Sequence, residues 1–418
     1  MIPTGQIASR LRENPAITDF AGSNPVVSSP VMPSALGSLR VALVHDWLVN
    51  MRGGEKVLEL ICRRFPDAPL WTLLYARGSV SPTIEDREIS TSLLQSLPFA
   101  RTKYRHYLPL FPLFAELTKV RDFDIVISSS HAVAKGMVKK DRDCRPLHIC
   151  YIHTPMRYIW DRFDDYFGAD KVGALASQLL FRPLARMLQA YDKETVDRVD
   201  VFIANSRFVA DRVKRLYGRE AEVLPPPVDV QCFAAVKRSP EDWYLMVTAL
   251  APYKRVDHAI RACASLGRQL RIVGSGPEEK NLKSLARDAG AKVQFMGFVD
   301  GADLVEYYRR ARGLLCPGVE DFGIVPVEAI ATGCPVVAFR QGGVLDSMTD
   351  ETAHLYSEQT VEGLREAMLS FEGREFSERE LRNRAASFAP ECFLGRFEQI
   401  LEGSWNEWRR RHGASFGQ

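Results

Sequence analysis

Two carboxylates eight positions apart, Glu320 and Glu328, stand in the run Gly318-Val319-Glu320-Asp321-Phe322-Gly323-Ile324-Val325-Pro326-Val327-Glu328. The run follows an apolar stretch and opens an expected helix. Unpaired N–H groups at a helix start favour an anion, and Gly323 lets the backbone come close to one. Glu328 is placed to accept from ribose hydroxyls, Glu320 from hydroxyls of a sugar. The run alone also fits a strand-to-helix turn with two solvated acids. Further along, Lys254 and Arg255 put two cations at a loop end, which fits either a phosphate contact or a solvated helix start. In Tyr151-Ile152-His153-Thr154-Pro155-Met156-Arg157-Tyr158-Ile159-Trp160-Asp161, His153 ends a strand and Pro155 breaks the chain. Gly53 and Gly54 open a helix just after the first strand and suit either a simple turn or a phosphate approach. Arg101, Lys103 and Arg105 interleave with aromatic residues ahead of an apolar run. That pattern suits an anionic membrane surface, a polyprenyl-diphosphate acceptor or a packed surface helix.

These side chains need a scaffold of alternating strands and helices. Apolar strand-like runs at Leu39–His45, Trp71–Tyr75, Asp124–Ser128, Leu147–His153 and Val201–Asn205 are separated by helical patterns. Among the helical patterns are Glu55–Arg64 and a long stretch from Val172 to Val199. Pro225-Pro226-Pro227 then stops the pattern, since three prolines continue neither a ladder nor a helix. The alternation restarts with strands at Tyr244–Ala249, Leu270–Val273, Val293–Met296, Gly313–Cys316 and Pro335–Phe339. Helices are expected at Val256–Leu266, Glu278–Ala289, Asp303–Ala311 and Val325–Thr332. The reading is α/β, with two Rossmann-like domains and parallel sheets facing one cleft. The boundaries are a poorly ordered arm over 1–38, a first domain over 39–224, a second over 225–390, and a final helix over 391–418 that crosses back to the first.

Composition narrows the class. The 418 residues are 46% hydrophobic and 26% charged with a net charge of +3, the profile of a globular enzyme, with no bulk signal for nucleic acid. Eight cysteines form no Cys-x-x-Cys pair, which points to reduced cysteines in a cytosolic protein. No window reaches the roughly 18 apolar residues of a membrane span, and no signal peptide is evident. The expected location is cytoplasmic, with peripheral contact to the inner face of the plasma membrane.

Downstream of Glu328, Ala329-Ile330-Ala331-Thr332-Gly333-Cys334-Pro335 and Gln341-Gly342-Gly343-Val344-Leu345-Asp346 continue the motif. With that block the chain resembles the family 4 retaining glycosyltransferases over roughly residues 40–390. The resemblance implies the two-domain GT-B fold and a nucleotide-diphosphate sugar as donor, with no required metal or cofactor. It gives Glu320 the donor sugar and Glu328 the ribose, and turns the backbone of Phe322, Gly323 and Ile324 toward sugar and diphosphate. Gly297, Phe298 and Val299 fall where the family contacts the base, and Lys254 falls in its phosphate motif. The family's arginine is missing at Ala249, with Arg255 as its candidate substitute. His153 matches the active-site histidine. The following Arg157, Trp160 and Asp161 resemble an O-antigen and exopolysaccharide subgroup, many of whose members are mannosyltransferases. Asn205-Ser206 and Leu224–Asp229 fit the same subgroup.

The resulting expectation is transfer of a hexosyl group, best α-mannosyl from GDP-mannose, to a lipid-linked oligosaccharide. Front-face substitution is favoured over a Glu320 adduct, because the leaving diphosphate can take the acceptor's proton. The alternatives are a UDP-sugar-dependent transferase, a sugar-nucleotide epimerase of the same fold, or a silent sugar-nucleotide-binding partner. Asp122-Phe123-Asp124 and Asp141-Arg142-Asp143 have the Asp-x-Asp pattern of metal-dependent transferases, and both read as turn carboxylates.

Overall fold

The computed structural model describes residues 39–140, 145–164, 173–234, 237–299 and 301–412. The expected arm over 1–38, Asp141-Arg142-Asp143, Cys144, Val172 and the last six residues lie outside them.

Arg40–Gln418 is a single compact unit containing two parallel sheets. The first is ordered β3-β2-β1-β4-β5-β6-β7, with β1 Val41–His45, β2 Leu70–Thr72, β3 Ile89–Thr91, β4 Ile125–Ser130, β5 Leu147–Ile152, β6 Val201–Ala204 and β7 Ala221–Val223. The second is ordered β10-β9-β8-β11-β12-β13, with β8 Trp243–Val247, β9 Gln269–Val273, β10 Val293–Gly297, β11 Gly313–Cys316, β12 Val336–Phe339 and β13 Ala353–Tyr356. Every pairing is parallel. Central strands are buried on both faces, as the unbroken burial of β1, β4 and β5 shows, so they read as apolar runs rather than as alternation. This is the GT-B architecture.

In each sheet the strand order reverses direction once, between β1 and β4 and again between β8 and β11. Ligands of doubly wound sheets bind at such points, beyond the carboxyl ends of the strands. The four loops leaving β1, β4, β8 and β11 carry Asp46–Arg52, His131–Val133, Thr248–Arg255 and Pro317–Gly323.

Among the described residues ten helices of eight residues or more cover the sheets. They are α1 Gly53–Arg64, α2 Arg182–Glu194, α3 Arg207–Tyr217, α4 Val256–Ser265, α5 Glu279–Asp288, α6 Gly301–Arg310, α7 Ile324–Ala331, α8 Val361–Glu372, α9 Glu378–Ala386 and α10 Pro390–His412. Helix α7 is buried from Pro326 onward, which explains its apolar character on every side. The expected helical stretch from Val172 to Val199 is helical from Ala174 to Arg198 among the described residues, with an α-turn at Ala174–Ala176, a π-helical turn at Ser177–Phe181, α2, and a 3-10 turn at Thr195–Arg198.

Helix α10 begins beside the second sheet and packs on α1 and β5 of the first. Phe393 meets Tyr151 at 5.9 Å between ring centroids, and Glu398 pairs with Arg64. The proline segment is tied down at both ends: Tyr151 Oη donates to Leu224 O at 3.0 Å, and Val228 N donates to Phe388 O at 2.8 Å.

The sequence pattern did not show β3, β7 or β13. Each is an edge strand of three or four residues, paired on one side only, so none carries a continuous apolar run. Asp122 and Asp124 lie at the amino end of β4, far along the strand from its site-bearing loop. Asp124 accepts from Arg40 N at 2.8 Å. Of the described cysteines, Cys62, Cys150, Cys263 and Cys334 are buried, whereas Cys232 and Cys392 are exposed.

Candidate active site

The second-sheet half of the site is built on charge. Lys254 ends a single 3-10 turn after β8, and its Nζ donates to Glu320 Oε2 at 2.6 Å. Burial alone would depress the Lys254 ammonium, but the Glu320 carboxylate outweighs it and lifts the group above its ordinary range. Gly318 lets the two loops close: a Cβ there would meet Lys254 Cα at 2.8 Å. Glu320 is fixed from the other side by Gly343 N, which donates to its carbonyl at 2.8 Å. A Cβ on Gly342 would meet that carbonyl at 2.4 Å.

Gly323, at φ +92°, turns the chain into α7 with no side-chain cap. Ile324 N and Val325 N meet no backbone or side-chain acceptor among the described residues, which leaves donors for an anion. Phe322 turns inward against Phe388, so only its backbone faces this start. One turn on, Glu328 is 7% exposed and accepts from Tyr308 Oη at 3.0 Å through Oε2. Burial pushes its carboxyl up, opposed by Lys56 on α1 and by the Tyr308 bond.

The first-sheet half is built on imidazoles and one buried carboxylate. A line of polar contacts runs from Glu55 to His153, hydrogen-bonded from His45 onward. His45 Nε2 lies 3.6 Å from Glu55 Oε1, His45 Nδ1 is 3.1 Å from Ser129 Oγ, and Ser129 Oγ is 2.7 Å from His153 Nε2. Burial pushes Glu55 up, yet the proximity of His45, with a backbone bond and His131 adding to it, wins and holds its carboxyl at about 2. Glu55 Oε2 also accepts from Arg52 N at 3.0 Å, which anchors the Gly53-Gly54 turn. Burial, with His131 and His45 adding to it, drives His153 down to about 3, so its ring is neutral. A Cβ on Gly54 would stand 3.4 Å from His153 Nε2. Beside this line, Asp46 accepts from the N–H groups of His131, Ala132, Val133 and Ala134 at 2.6–3.0 Å.

The two halves meet. A Cβ on Gly53 would stand 2.8 Å from Ile324 Cδ1. Asp321, between Glu320 and Phe322, is held by the first lobe: Arg212 Nη1 lies 2.8 Å from Oδ1, Arg157 Nη1 lies 3.2 Å from Oδ2, and Ser206 Oγ donates to its carbonyl at 2.5 Å. Arg157 also lies over the Tyr253 ring at 5.4 Å, next to Lys254. Arg207 N donates to Asp346 Oδ2 at 2.7 Å. Thus the Arg157, Asp161 and Ser206 positions of the subgroup motif form a clasp, in which Asp161 holds Arg212 Nε at 2.7 Å.

Two family models match consecutive stretches. Glycosyltransferase Family 4 covers residues 51–231 and Glycosyl transferases group 1 covers 231–391. A D-inositol 3-phosphate glycosyltransferase of Kribbella flavida is 30% identical over 371 residues, 78% of this chain and 84% of that one. The chain belongs to the family 4 glycosyltransferases. A GDP-mannose-dependent monoacylated alpha-(1-6)-phosphatidylinositol monomannoside mannosyltransferase of Corynebacterium glutamicum is 30% identical over 201 residues, 41% of this chain and 52% of that one. The chain spans about half the length of several curated relatives it matches, that one included. Among solved structures, Anabaena Alr3699/HepE in complex with UDP superposes with a TM-score of 0.63 at 18% identity, covering 87% of this chain and 100% of that one. That likeness shows the fold.

In this family 4 glycosyltransferase the structure gathers His153, Gly53, Gly54, Lys254, Glu320, Phe322, Gly323, Ile324 and Glu328 around the facing strand ends. Arg255 does not join them: its guanidinium turns along its own helix start to Asp257, 3.0 Å away, and to His258. Gly297 O accepts from Gly274 N at 2.7 Å at the strand ends. Phe298 and Val299 line a separate groove of about 500 Å³ with Trp243, Arg271 and Tyr307. Arg101, Lys103 and Arg105 are exposed on a short helix and a 3-10 run, remote in sequence from every residue of the gathered set. Nothing in the sequence pattern singled out Ser129, His131 or Asp321. Among the described residues no group of three or more His, Cys, Asp or Glu side chains is placed to hold a metal ion.

Proposed function

We propose that this chain transfers a hexosyl group with retention, as α-mannosyl from GDP-mannose, to a lipid-linked oligosaccharide acceptor in bacterial surface polysaccharide synthesis. The observation that carries the transfer reading is the Lys254–Glu320 pair set against the uncapped start of α7, across from neutral His153. A leaving diphosphate would sit at that helix start, where the Ile324 and Val325 N–H groups and Lys254 Nζ meet its charge. Glu320 holds the sugar, Glu328 the ribose through its free Oε1, and His153 orients the hexose. The mannosyl choice rests on the subgroup motif Arg157-x-x-Trp160-Asp161 and on the name of the Corynebacterium relative. The UDP complex of the Anabaena protein favours the second reading, a UDP-sugar donor.

No described helix is long and apolar enough to cross a membrane. Surface composition favours the peripheral membrane contact of this reading. Nine of the thirteen large apolar side chains exposed among the described residues fall in 93–117 and 175–187. The same stretches carry Arg101, Lys103, Arg105, Arg182 and Arg186. Leu108 and Leu184, one from each stretch, pack on one cluster around Met156 and Leu188, so the stretches adjoin.

Thermal-shift measurements against GDP-, UDP-, ADP- and dTDP-sugars test the donor, since a ligand specific to the native state raises its stability. Stabilisation by GDP-mannose above the others is expected. A preference for a UDP-sugar selects the second reading, and no response to any of the four rejects the donor site.

A further inference from the structure

The geometry points to Lys56, on α1 of the first lobe, as the cation that holds the ribose-side phosphate of the donor, opposite Lys254 on the sugar-side phosphate. The inference rests on the transferase reading above and deepens it by naming a further donor-binding residue. The need for one is electrostatic. A nucleotide-diphosphate sugar brings negative charge on both phosphates, and departure of the sugar adds more. The four loops at the facing strand ends hold three cations, Arg52, Lys254 and Arg255. Lys254 is bonded to Glu320 at 2.6 Å, Arg255 is turned to Asp257 at 3.0 Å, and the charge of Arg52 is felt at Tyr104. Glu328 stands one turn beyond the start of α7. With Glu328 ionised, one lysine faces two glutamates, and that set alone would repel a diphosphate.

Lys56 is placed to make up the missing charge. A Cβ on Gly53 would stand 2.8 Å from Ile324 Cδ1, so the first turns of α1 and α7 abut. On α1, Lys56 follows Gly53 by three positions and shares its face. On α7, Glu328 follows Ile324 by four and shares that one. Each charge therefore stands one turn beyond the contact. Burial pushes the Glu328 carboxyl up, and the Lys56 ammonium is the foremost influence against it, ahead of the Tyr308 bond. The same ammonium is felt at Cys232, whose Sγ donates to Asp229 Oδ2 at 3.0 Å, so it overhangs the gap between α7 and the Val230–Ala234 turn. Lys56 is exposed and makes no side-chain hydrogen bond or ion pair among the described residues. The other cations of α1 are committed, Arg63 to Glu59 and Arg64 to Glu398.

The two glutamates set which phosphate each lysine meets. Tyr308 Oη holds Glu328 Oε2 at 3.0 Å, which leaves Oε1 for the ribose. The phosphate carried by that ribose falls on the Glu328 side of the α7 start, within the sweep of Lys56. The phosphate carried by the sugar falls on the Glu320 side, beside Lys254. Lys254 and α7 belong to the same lobe, so their grip on a phosphate leaves the other lobe free. Lys56 grips from across the gap, and its bond to the phosphate also ties α1 to α7.

The test measures Kd by calorimetry for GMP, GDP, UMP and UDP in wild type, Lys56→Gln, Lys56→Arg and Lys254→Ala, and the base that binds tighter carries the comparison. Lys56→Gln is expected to weaken monophosphate and diphosphate alike by about 10- to 100-fold, and Lys56→Arg to hold both within about threefold of wild type. Lys254→Ala should weaken the diphosphate and spare the monophosphate, because its phosphate is the one the monophosphate lacks. The ligand-free thermal midpoint of Lys56→Gln should match wild type within about 2 °C, as for an exposed side chain without a partner. Diphosphate binding by Lys56→Gln within about threefold of wild type overturns the assignment. So does an equal monophosphate loss in Lys254→Ala, or a ligand-free midpoint in Lys56→Gln lowered by more than that margin. A wild type that binds neither diphosphate instead overturns the donor-site reading, whatever the variants do.

Discussion

The two reversal points of this molecule share one strand order and almost nothing else. Beyond β8 and β11 stand the Lys254–Glu320 pair, buried Glu328, and an uncapped helix start. Beyond β1 and β4 stand imidazoles, a serine and a carboxylate already saturated by backbone donors. A departing diphosphate carries charge that only cations and N–H dipoles can meet, so one half supplies those. The other half offers the neutral ring of His153, which can hydrogen-bond to an uncharged hydroxyl. The fold provides two equivalent corners, and side-chain chemistry divides the labour between them.

The comparison breaks most readily at the charged corner. Lys254→Ala and Glu328→Ala are each expected to lower turnover by about 10²–10³ or more, measured as nucleoside diphosphate release, while chelators leave the rate unchanged. Near-wild-type turnover in the double variant would remove the charged half from the mechanism. Next comes the clasp that holds the corners together. Asp321→Ala leaves Arg212, whose side chain is 9% exposed, without its partner across the lobes, at a cost of about 3 kcal/mol in a urea melt and with a raised donor KM. An unchanged denaturation midpoint would show that Ser206 and Arg207 suffice to hold the lobes.

The imidazole corner has its own signature in acid. Glu55 is held at about 2 against an ordinary 4.5, so its contribution is complete above the ordinary value and is lost as pH falls from about 4.5 toward 2. The size is about 3 kcal/mol, and Glu55→Gln should flatten that part of the stability–pH curve. A curve of unchanged shape would show that Glu55 is not held below its ordinary range in the folded protein. The smallest effect is expected at Ser129→Ala, which removes the hydroxyl shared by His45 and His153. About a tenfold loss in kcat with little change in donor KM is expected from kinetics at saturating donor. A change in KM alone would assign Ser129 to ground-state binding.

Most of the scaffold was legible because central strands are continuous apolar runs and helix starts carry glycine, proline and acids. Local spacing also sufficed for Glu320, Gly323, Ile324 and Glu328, which share one loop and one helix turn, and for Lys254 at the end of a strand loop. Arg255 shows where such reading stops. It is adjacent to Lys254, yet at φ +52° its guanidinium is directed to Asp257. One backbone dihedral separates a cation in the site from a cation at a helix start, and residue types do not encode it.

What the sequence by itself determined is therefore the pair of doubly wound sheets, the family, and the Glu320–Glu328 motif at one helix start, since each follows from periodicity or from residues a few positions apart. The tertiary structure alone decided that Asp46 meets His131 across 85 residues, that Ser129 joins His45 to His153, and that Arg212 reaches Asp321 across 109. Such contacts depend on which strands become neighbours and how far each loop overhangs its sheet. No local pattern of residues carries that information, because it is set when distant strands pair within a sheet and when the two sheets pack.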